Sequence, residues 1–415
     1  MNDYKIRVLE IYNEKQICDE MKKISVDPKG IDLMAKKAVC RVIKLEDVAL
    51  KPALILKQEM LSIGGEAALT KDAISLNCKT TDVLLIGSLK HYQRLISKLQ
   101  SQYFGLSDLA DKIEEVLNNF IKDDFKLVCG KYQFNLAQRT FIMGILNVTP
   151  DSFSDGGQYD EPEKAIKRAF EMKEEGADII DIGGESTRPG AKPSSVKEEL
   201  ERLIPIVKRL IKENIDLPLS IDTYKSEVAK ACLAEGAHII NDISALKFDM
   251  NMAKVVAGYK VPVVLMHIQG TPQDMQENPQ YKCVVSEIIL YLRERVKFAQ
   301  DSGIDKEKII IDPGIGFGKT VEHNLQILRR LREFKSPGLP ILIGTSRKSF
   351  IGKILDLPVE ERLEGTLATV AISILNGANI LRVHDVKSAR RVALMLDAII
   401  RNCSPQRHRD AEKKN

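Results

Sequence analysis

Eight short apolar runs alternate with longer amphipathic segments through the C-terminal part of the chain. The runs are FIMGILNV (141–148), ADIIDIGG (177–184), PLSID (218–222), HIINDI (238–243), PVVLMH (262–267), IIIDPGI (309–315), PILIGTS (340–346) and NILRVHD (379–385). They are rich in Ile and Val and do not alternate with polar residues, which is typical of parallel strands buried on both faces. The segments between them carry apolar residues at three- and four-residue spacing, which indicates helices. Eight such units in about 260 residues predict an α/β chain with a (β/α)8 TIM barrel.

The first 124 residues differ from the barrel in pattern. A charged, strand-like segment, YKIRVLEIY (4–12), precedes helical segments and a further strand, VLLIGS (83–88). This order predicts a separate, smaller α/β domain over residues 1–124. Its role is open, and an oligomerisation or regulatory domain is the interpretation we prefer.

A hairpin is predicted immediately before the first barrel strand. The segment FKLVCGKYQFNL (125–136) has Gly130 at the first position of its turn, and such a hairpin would cover the bottom of the barrel. We therefore assign the barrel to residues 125–403. The polar tail over 404–415 is expected to be disordered.

Composition excludes several other classes of protein. The chain has 415 residues, of which 29% are charged, and a net charge of +4, which gives no argument for nucleic-acid binding. Its seven cysteines include no CxxC and no close pair, so neither a zinc site nor a disulfide framework is indicated. The N-terminus has no apolar leader region and no run approaches a membrane span. We expect a cytoplasmic protein without membrane or nucleic-acid partners.

Nearly every apolar run ends in a polar cluster, and in a barrel these ends meet at the face that holds the active site. The clusters contain Asn147, Thr149 and Asp151, then Glu185 to Arg188, then Asp222, Asn241, Asp242, His267, Asp312, Ser346 to Lys348, Arg382, His384 and Asp385. One polar strand end is usually a helix cap or a loop anchor. Eight polar clusters that meet at one face of a barrel predict a binding site.

The residue types in these clusters indicate the kind of ligand. Cationic or donor groups that suit a diphosphate occur at Arg188, Lys348, Arg382 and His384. Acceptors that suit a ring rich in N–H groups occur at Asp222, Asn241 and Asp312. Asn147 supplies a neutral oxygen of the kind that Mg²⁺ accepts. The residues thus predict an enzyme for a phosphate-bearing heterocycle, without naming the heterocycle.

Eight segments, in order, resemble the signatures of the dihydropteroate synthase family. They are MGILNVTPDSFSDGG (143–157), IDIGGESTRPGA (180–191), SIDT (220–223), NDIS (241–244), LMH (265–267), IDPGIGFGK (311–319), GTSRKSFIG (344–352) and RVHDV (382–386). The resemblance covers about 125–401. It implies a transferase of folate biosynthesis that joins p-aminobenzoate to 6-hydroxymethyl-7,8-dihydropterin diphosphate, releases diphosphate and uses Mg²⁺. One departure is the Ile268-Gln269 pair after His267, where a methionine often follows the histidine.

The same resemblance implies roles for individual residues. The pterin diphosphate would contact Thr187, Asp222, Asn241, Asp312 and Lys348, with Arg382, His384 and Arg188 at its phosphates. Asn147 would help hold Mg²⁺, and Phe153 would help form the pocket for p-aminobenzoate. Asp222, Asp312 and Lys348 are the predicted catalytic residues, because fixed charges around the ring stabilise charge that develops during C–O cleavage. The attacking aromatic amine needs no strong base, so no general base is assigned.

Two other functions are weighed against this one. A pterin-dependent methyltransferase for a corrinoid protein shares the barrel, but has no need of the segments that serve a diphosphate and an amine. A non-catalytic pterin-binding protein would be expected to lose Asn147, Arg188, Lys348 or His384, and all four are present. The expected partners are the two small substrates, and the chain is a candidate homodimer. For Asp242 and Asp385 a capping role is as well supported as a site role, and His267 is interpreted as a hydrogen-bonded wall residue.

Overall fold

A computed structural model describes residues 5–148, 161–187 and 190–401. The chain divides into two units, Met1–Ile121 and Lys122–Asn415. The predicted tail over 404–415 lies outside the described residues. Within the described residues, no helix is both long enough and apolar enough to cross a lipid bilayer.

The first unit is a three-stranded antiparallel sheet, with strand order β1-β3-β2, packed against helices. Its elements are α1 (Glu14–Lys23), α2 (Pro28–Ala38), β1 (Cys40–Ala49), α3 (Leu50–Ser62), β2 (Glu66–Leu69), α4 (Lys71–Ile74), β3 (Thr80–Ser88), α5 (Leu89–Leu99) and α6 (Leu106–Ile121). Alternation along the central strand β3 places Val83 and Leu85 in the core and leaves Leu84 and Ile86 exposed. The smaller α/β region is therefore present. Residues 5–12 form no strand, so that part of the prediction is wrong.

The predicted hairpin is confirmed and closes one end of the barrel. Strands β4 (Lys126–Cys129) and β5 (Tyr132–Asn135) pair antiparallel, and Gly130 in the turn has a φ of 60°. That left-handed backbone conformation favours glycine. The apolar hairpin side chains Leu127, Cys129 and Leu136 pack against the residues that begin the barrel strands, including Met143 and Ile310. The hairpin thus fills the end of the barrel that carries no polar clusters.

All eight predicted barrel strands are present and parallel. They are β6 (Phe141–Asn147), β7 (Ile179–Gly183), β8 (Leu219–Asp222), β9 (Ile239–Asp242), β10 (Val263–Met266), β11 (Ile309–Asp312), β12 (Leu342–Ile343) and β13 (Ile380–Val383). Their order is β11-β10-β9-β8-β7-β6-β13-β12, and a parallel bridge between Ile311 and Ile341 joins the two outer strands of that order. The predicted barrel is confirmed.

Helices follow the strands and cover the barrel. They are α7 (Glu161–Glu174), α8 (Val196–Lys212), α9 (Ser226–Ala234), α10 (Met252–Tyr259), α11 (Val284–Asp301), α12 (Val321–Arg329), α13 (Ser349–Leu355), α14 (Leu363–Leu375) and α15 (Val386–Arg401). Helix α8 begins with a capping box between Ser195 and Glu198, and α12 begins with one between Thr320 and His323. These caps satisfy backbone N–H groups where each loop enters its helix.

Alternation along the strands decides which residues face the barrel interior. Met143, Ile179, Ile239, Ile310 and Ile380 lie in the interior layer that the hairpin covers. Because side chains two residues apart share a face, the same alternation carries inward-facing positions to the far ends of the strands. Those far ends are where the polar clusters lie.

Candidate active site

One row of residues runs across four neighbouring strands at the carboxyl end of the barrel. In the strand register, Asn147 is opposite Gly183, Gly183 is opposite Asp222, and Asp222 is opposite Asn241. Gly183 has no side chain, so the space between the Asn147 amide and the Asp222 carboxylate is open. A Cβ atom at Gly183 would lie 3.7 Å from both Asn147 Oδ1 and Asp222 Oδ2. The row brings three predicted site residues together around that space.

Arg382 lies on β13, beside β6, and its guanidinium group contacts two carboxylates. One carboxylate, Asp222, belongs to this row, and the other, Asp181, lies on β7. Its Nε donates to Asp181 Oδ2 at 2.6 Å, and its Nη2 donates to Asp222 Oδ2 at 2.6 Å. Charge-assisted bonds of this length are strong and fix the plane of the guanidinium. Arg382 is therefore held against the same carboxylate that was predicted to contact the ring.

Asp181 is a member of this network that sequence analysis did not select. It is fully buried, and its Oδ2 also accepts a hydrogen bond from Asn241 Nδ2 at 3.1 Å. Its Oδ1 is buried without a hydrogen-bond partner among the described residues. One carboxylate thus orients both Arg382 and Asn241. The signal for it is an acidic residue inside the apolar run ADIIDIGG, two positions from the interior residue Ile179.

The surroundings of Asp222 raise the pKa of its carboxyl group. Burial raises the pKa of this carboxyl to about 7, and the charge of Asp181 adds to that effect while Arg382 opposes it. A buried carboxylate is stabilised by N–H donors, which restore hydrogen bonds lost to water. A ligand that presents N–H groups to Asp222 will favour its ionised form.

Asp312 and Lys348 form a second part of the site. Asp312 ends β11, and its Oδ1 accepts a hydrogen bond from Gly314 N at 2.7 Å. The Lys348 ammonium donates to the carbonyl of Ile315 and lies 4.6 Å from the centre of the Phe317 ring. Burial raises the pKa of Asp312, and burial lowers the pKa of Lys348 to about 8, although the charge of Asp312 opposes the second shift. Phe317, which sequence analysis also missed, is thus a wall of the site beside Lys348.

The last two barrel strands are joined at their ends by side-chain hydrogen bonds. His384 Nδ1 lies 3.0 Å from Ser346 Oγ, and its backbone N–H donates to the same oxygen at 3.2 Å. Arg347 donates to Asp385 through Nε at 2.9 Å and Nη2 at 2.6 Å. Asp385 therefore holds the loop that carries Lys348, which is a structural role.

Asp242 also has a structural role. Its carboxylate accepts hydrogen bonds from the backbone N–H groups of Ser244 and Leu246, at 2.8 and 2.9 Å, and from the Ser244 hydroxyl at 2.7 Å. These bonds hold the turn that follows β9. Both aspartates whose role the sequence left open thus serve turns and loops.

The predicted residues on the first two loops are only partly described. Thr187 follows β7 and is partly exposed. Its loop is anchored at both ends, because Glu185 accepts from Ser194 N and Lys225 Nζ, at 2.9 and 2.5 Å. Phe153 and Arg188 lie outside the described residues.

A family model agrees with this geometry. The model described as "Pterin binding enzyme" matches residues 143–384, which span the barrel strands from β6 to β13. The fold, the polar residues at the strand ends and this match together define the class of protein. It is a pterin-binding enzyme built on a (β/α)8 barrel.

Similar proteins and solved structures show which family within this class the chain resembles. The chain is 52% identical over 273 residues to a dihydropteroate synthase of Clostridium beijerinckii, covering 66% of this chain and 98% of that relative. It is similar to the solved structure of Xanthomonas albilineans dihydropteroate synthase with 4-aminobenzoic acid, with 43% identity and a TM-score of 0.63, covering 68% of this chain and 99% of that chain. The chain belongs to the dihydropteroate synthase family.

One relative extends the similarity beyond the barrel. A probable bifunctional folylpolyglutamate synthase/dihydropteroate synthase of Halobacterium salinarum is 41% identical over 374 residues, covering 89% of this chain and 44% of that relative. That match is longer than the unit from Lys122 to Asn415, so it includes part of the first unit.

Proposed function

We propose that the barrel condenses 6-hydroxymethyl-7,8-dihydropterin diphosphate with p-aminobenzoate to give 7,8-dihydropteroate and diphosphate. The observation that carries this proposal is the arrangement of Asp222, Asn241, Asp312 and Lys348 at one end of the barrel, with Arg382 between carboxylates. Two carboxylates and an amide suit a ring with several N–H donors. The related Xanthomonas albilineans structure with 4-aminobenzoic acid supports the choice of amine.

The reaction breaks one bond and forms another at a single carbon. The methylene C–O bond to the diphosphate breaks, the amine nitrogen of p-aminobenzoate bonds to that carbon, and the amine proton passes to solvent. Positive charge develops on the pterin methylene as the bond breaks. Asp222 and Asp312 are fixed, buried carboxylates in the same site, so they would stabilise that charge without reorganisation.

The phosphate side of the substrate would contact the cationic and donor groups. In Arg382, Nε and Nη2 bind carboxylates, which leaves Nη1 to reach a phosphate oxygen. Lys348 would supply a compact ammonium group near the pterin ring. His384, on the loop after β13, would supply a hydrogen-bond donor. We retain Thr187 and Arg188 as contacts of the pterin diphosphate, and Phe153 as part of the amine pocket, on the resemblance of their motifs alone.

The protein groups at Asn147 fit a hydrated Mg²⁺ ion. Among the described residues there is no cluster of three or more His, Cys, Asp or Glu side chains able to hold a metal. Mg²⁺ bound to a diphosphate keeps several waters and needs only one or two protein oxygens, and Asn147 Oδ1 borders the open space beside Gly183. Asn147 would hold the ion together with diphosphate oxygens. When bound there, the ion would stabilise the negative charge of the leaving group.

The experiment that tests this function is diphosphate release by the full chain with and without p-aminobenzoate. Release that requires both the pterin diphosphate and the amine supports the synthase. A methyl transfer to a corrinoid acceptor, with no diphosphate released, would support the methyltransferase instead. Tight pterin binding without turnover would support a non-catalytic binding protein. A cytoplasmic location stays a prediction of the sequence.

A further inference from the structure

Lys319 is a buried lysine for which the proposed reaction has no direct use. Only 2% of the residue is exposed, and its Nζ donates to the carbonyl of Phe317 at 2.9 Å. The same atom lies 2.9 Å from His267 Nδ1 and 3.4 Å from the His267 carbonyl. A buried ammonium is costly unless it is hydrogen-bonded. Among the described residues these are its hydrogen bonds, and the negative charge of Asp312 also stabilises it.

His267 is suited to be the partner of a buried cation. It is almost fully buried at the end of β10, and its ring stacks edge-on against Tyr291 with 4.8 Å between ring centres. Burial and the charge of Lys319 hold the pKa of His267 well below its usual range. Burial also lowers the pKa of Lys319 well below its usual range, although the charge of Asp312 opposes that shift, so protonation of both groups at once is disfavoured.

The hydrogen bonds of Lys319 connect the loop after β11 to the residues after β10, and the backbones of these two segments are also in contact. We call residues 314–319, between β11 and α12, the glycine loop. Gly314 and Gly318 have φ values of 71° and 65°, and a Cβ on them would lie 1.9 Å from the His267 carbonyl oxygen and 2.5 Å from the Gln269 carbonyl oxygen. No other residue type fits either position. The glycine loop is thus pressed against the residues that follow β10, and Lys319 pins its end.

The other side of the glycine loop contacts the active site. The Ile315 carbonyl accepts from Lys348, Gly314 N donates to Asp312, and the Phe317 ring lies beside the Lys348 ammonium. Two of the three predicted catalytic residues therefore depend on the position of this backbone. His267 and Lys319 can therefore influence Asp312 and Lys348 without contacting the pterin ring themselves.

We infer that Lys319 is a positioning residue for pterin recognition: through His267 and the Phe317 carbonyl it fixes the glycine loop, which in turn holds Asp312 and Lys348. This inference rests on the proposed function. It separates Lys319 from a residue that only stabilises the fold, because it predicts an effect on one substrate and not on the other.

The test compares three variants of the full chain with a fourth that serves as a matched control. Lys319→Met keeps the stem of the side chain and removes the ammonium. His267→Leu removes the acceptor at Nδ1, whereas His267→Asn retains an oxygen close to that position. Lys308→Met is the matched control, because Lys308 lies immediately before the opposite end of β11 and donates to the Lys260 carbonyl. The kcat and both KM values are measured on protein whose folding is checked by circular dichroism.

In Lys319→Met and His267→Leu the KM for the pterin diphosphate should rise about tenfold or more, an effect of the size seen when supporting residues behind metal ligands are removed. The KM for p-aminobenzoate should stay close to that of wild type, and His267→Asn and Lys308→Met should resemble wild type. A folded Lys319→Met protein with a lower Tm but an unchanged KM for the pterin diphosphate would overturn the inference. If Lys319→Met fails to fold, equal KM values in His267→Leu and His267→Asn would overturn it. Wild-type turnover in the same assay tests the proposed function separately.

Discussion

The Nη2 atom of Arg382 lies 2.6 Å from Oδ2 of Asp222, across the mouth of the barrel. This pair joins a residue predicted to serve the phosphates to a residue predicted to serve the ring. Despite the pair, burial raises the pKa of Asp222 to about 7. We therefore expect the protonation of Asp222 to influence the activity of the free enzyme near neutral pH.

The first prediction concerns the dependence of kcat/KM on pH. Protonated Asp222 loses its charge and one acceptor position, so kcat/KM for the pterin diphosphate should fall as pH drops below about 7. Above that pH the carboxylate is ionised and the rise in kcat/KM should level off, until Lys348, whose pKa burial lowers to about 8, begins to lose its proton. Steady-state rates from about pH 5.5 to 8 at saturating p-aminobenzoate measure it.

The Asp222→Asn variant identifies the group. Turnover by this variant should be slower. Its kcat/KM should also lack the fall at low pH, which we call the acidic limb of the pH profile, because an amide does not titrate. Glu235→Gln, which changes a partly exposed ion pair with Lys208, should still show the fall in kcat/KM below about pH 7. If Asp222→Asn keeps an acidic limb at the wild-type pH, another group controls it.

The second prediction concerns Asp312. Replacement by Asn preserves size and removes a charge, so the ring loses a charge-assisted hydrogen bond worth about 1.5–3 kcal/mol of binding. Isothermal calorimetry with a pterin ligand measures the change. Asp216→Asn, at an exposed ion pair with Lys131, is the matched control and should bind as wild type does. Wild-type affinity in Asp312→Asn would remove Asp312 from the ring contacts.

The third prediction concerns Asp181, which lies behind Arg382 and Asn241. The charge of Asp181 contributes to the raised pKa of Asp222, so Asp181→Asn should shift the acidic limb of kcat/KM to lower pH. The maximum of kcat/KM should fall, because Arg382 loses one of its two charged partners. The same pH series measures both effects. A limb that moves to higher pH, or does not move, would contradict this account of the network.

The barrel could be predicted from the sequence because buried parallel strands leave an unmistakable pattern of Ile- and Val-rich runs. Candidate site residues such as Asp222 and Asp312 can be selected from the sequence because they end those runs. Asp181 does not end its run, so that signal does not reach it, although side-chain alternation from Ile179 points it into the barrel. Phe317 was missed because its place beside Lys348 depends on the path of the glycine loop.

The strand predicted for residues 4–12 shows a different limit. The segment YKIRVLEIY has the composition of a strand, but a strand needs a partner edge as well as propensity. Described residues 5–12 form no ladder, and Tyr12 is held instead through its carbonyl by Arg41 Nη2 at 2.6 Å. Pairing of this kind depends on contacts far apart in sequence.

The fourth prediction concerns the first unit. All the matched motifs lie beyond Ile121, and the residues from Lys122 onward have their own core, so a protein starting near Lys122 should fold and retain turnover. Circular dichroism and the diphosphate assay check folding and activity. A folded but inactive truncation would show that the first unit contributes to the active site. Misfolding would show that it covers apolar surface.

The most direct test of the central claim is a measurement of diphosphate release by the full chain. The account predicts Mg²⁺-dependent release from the pterin diphosphate only when p-aminobenzoate is present, with one 7,8-dihydropteroate formed for each diphosphate. Loss of release in Lys348→Met, together with retained release in Lys308→Met, would place the chemistry at the site described. Release that is independent of p-aminobenzoate, or no release with both substrates and Mg²⁺ present, would contradict the claim.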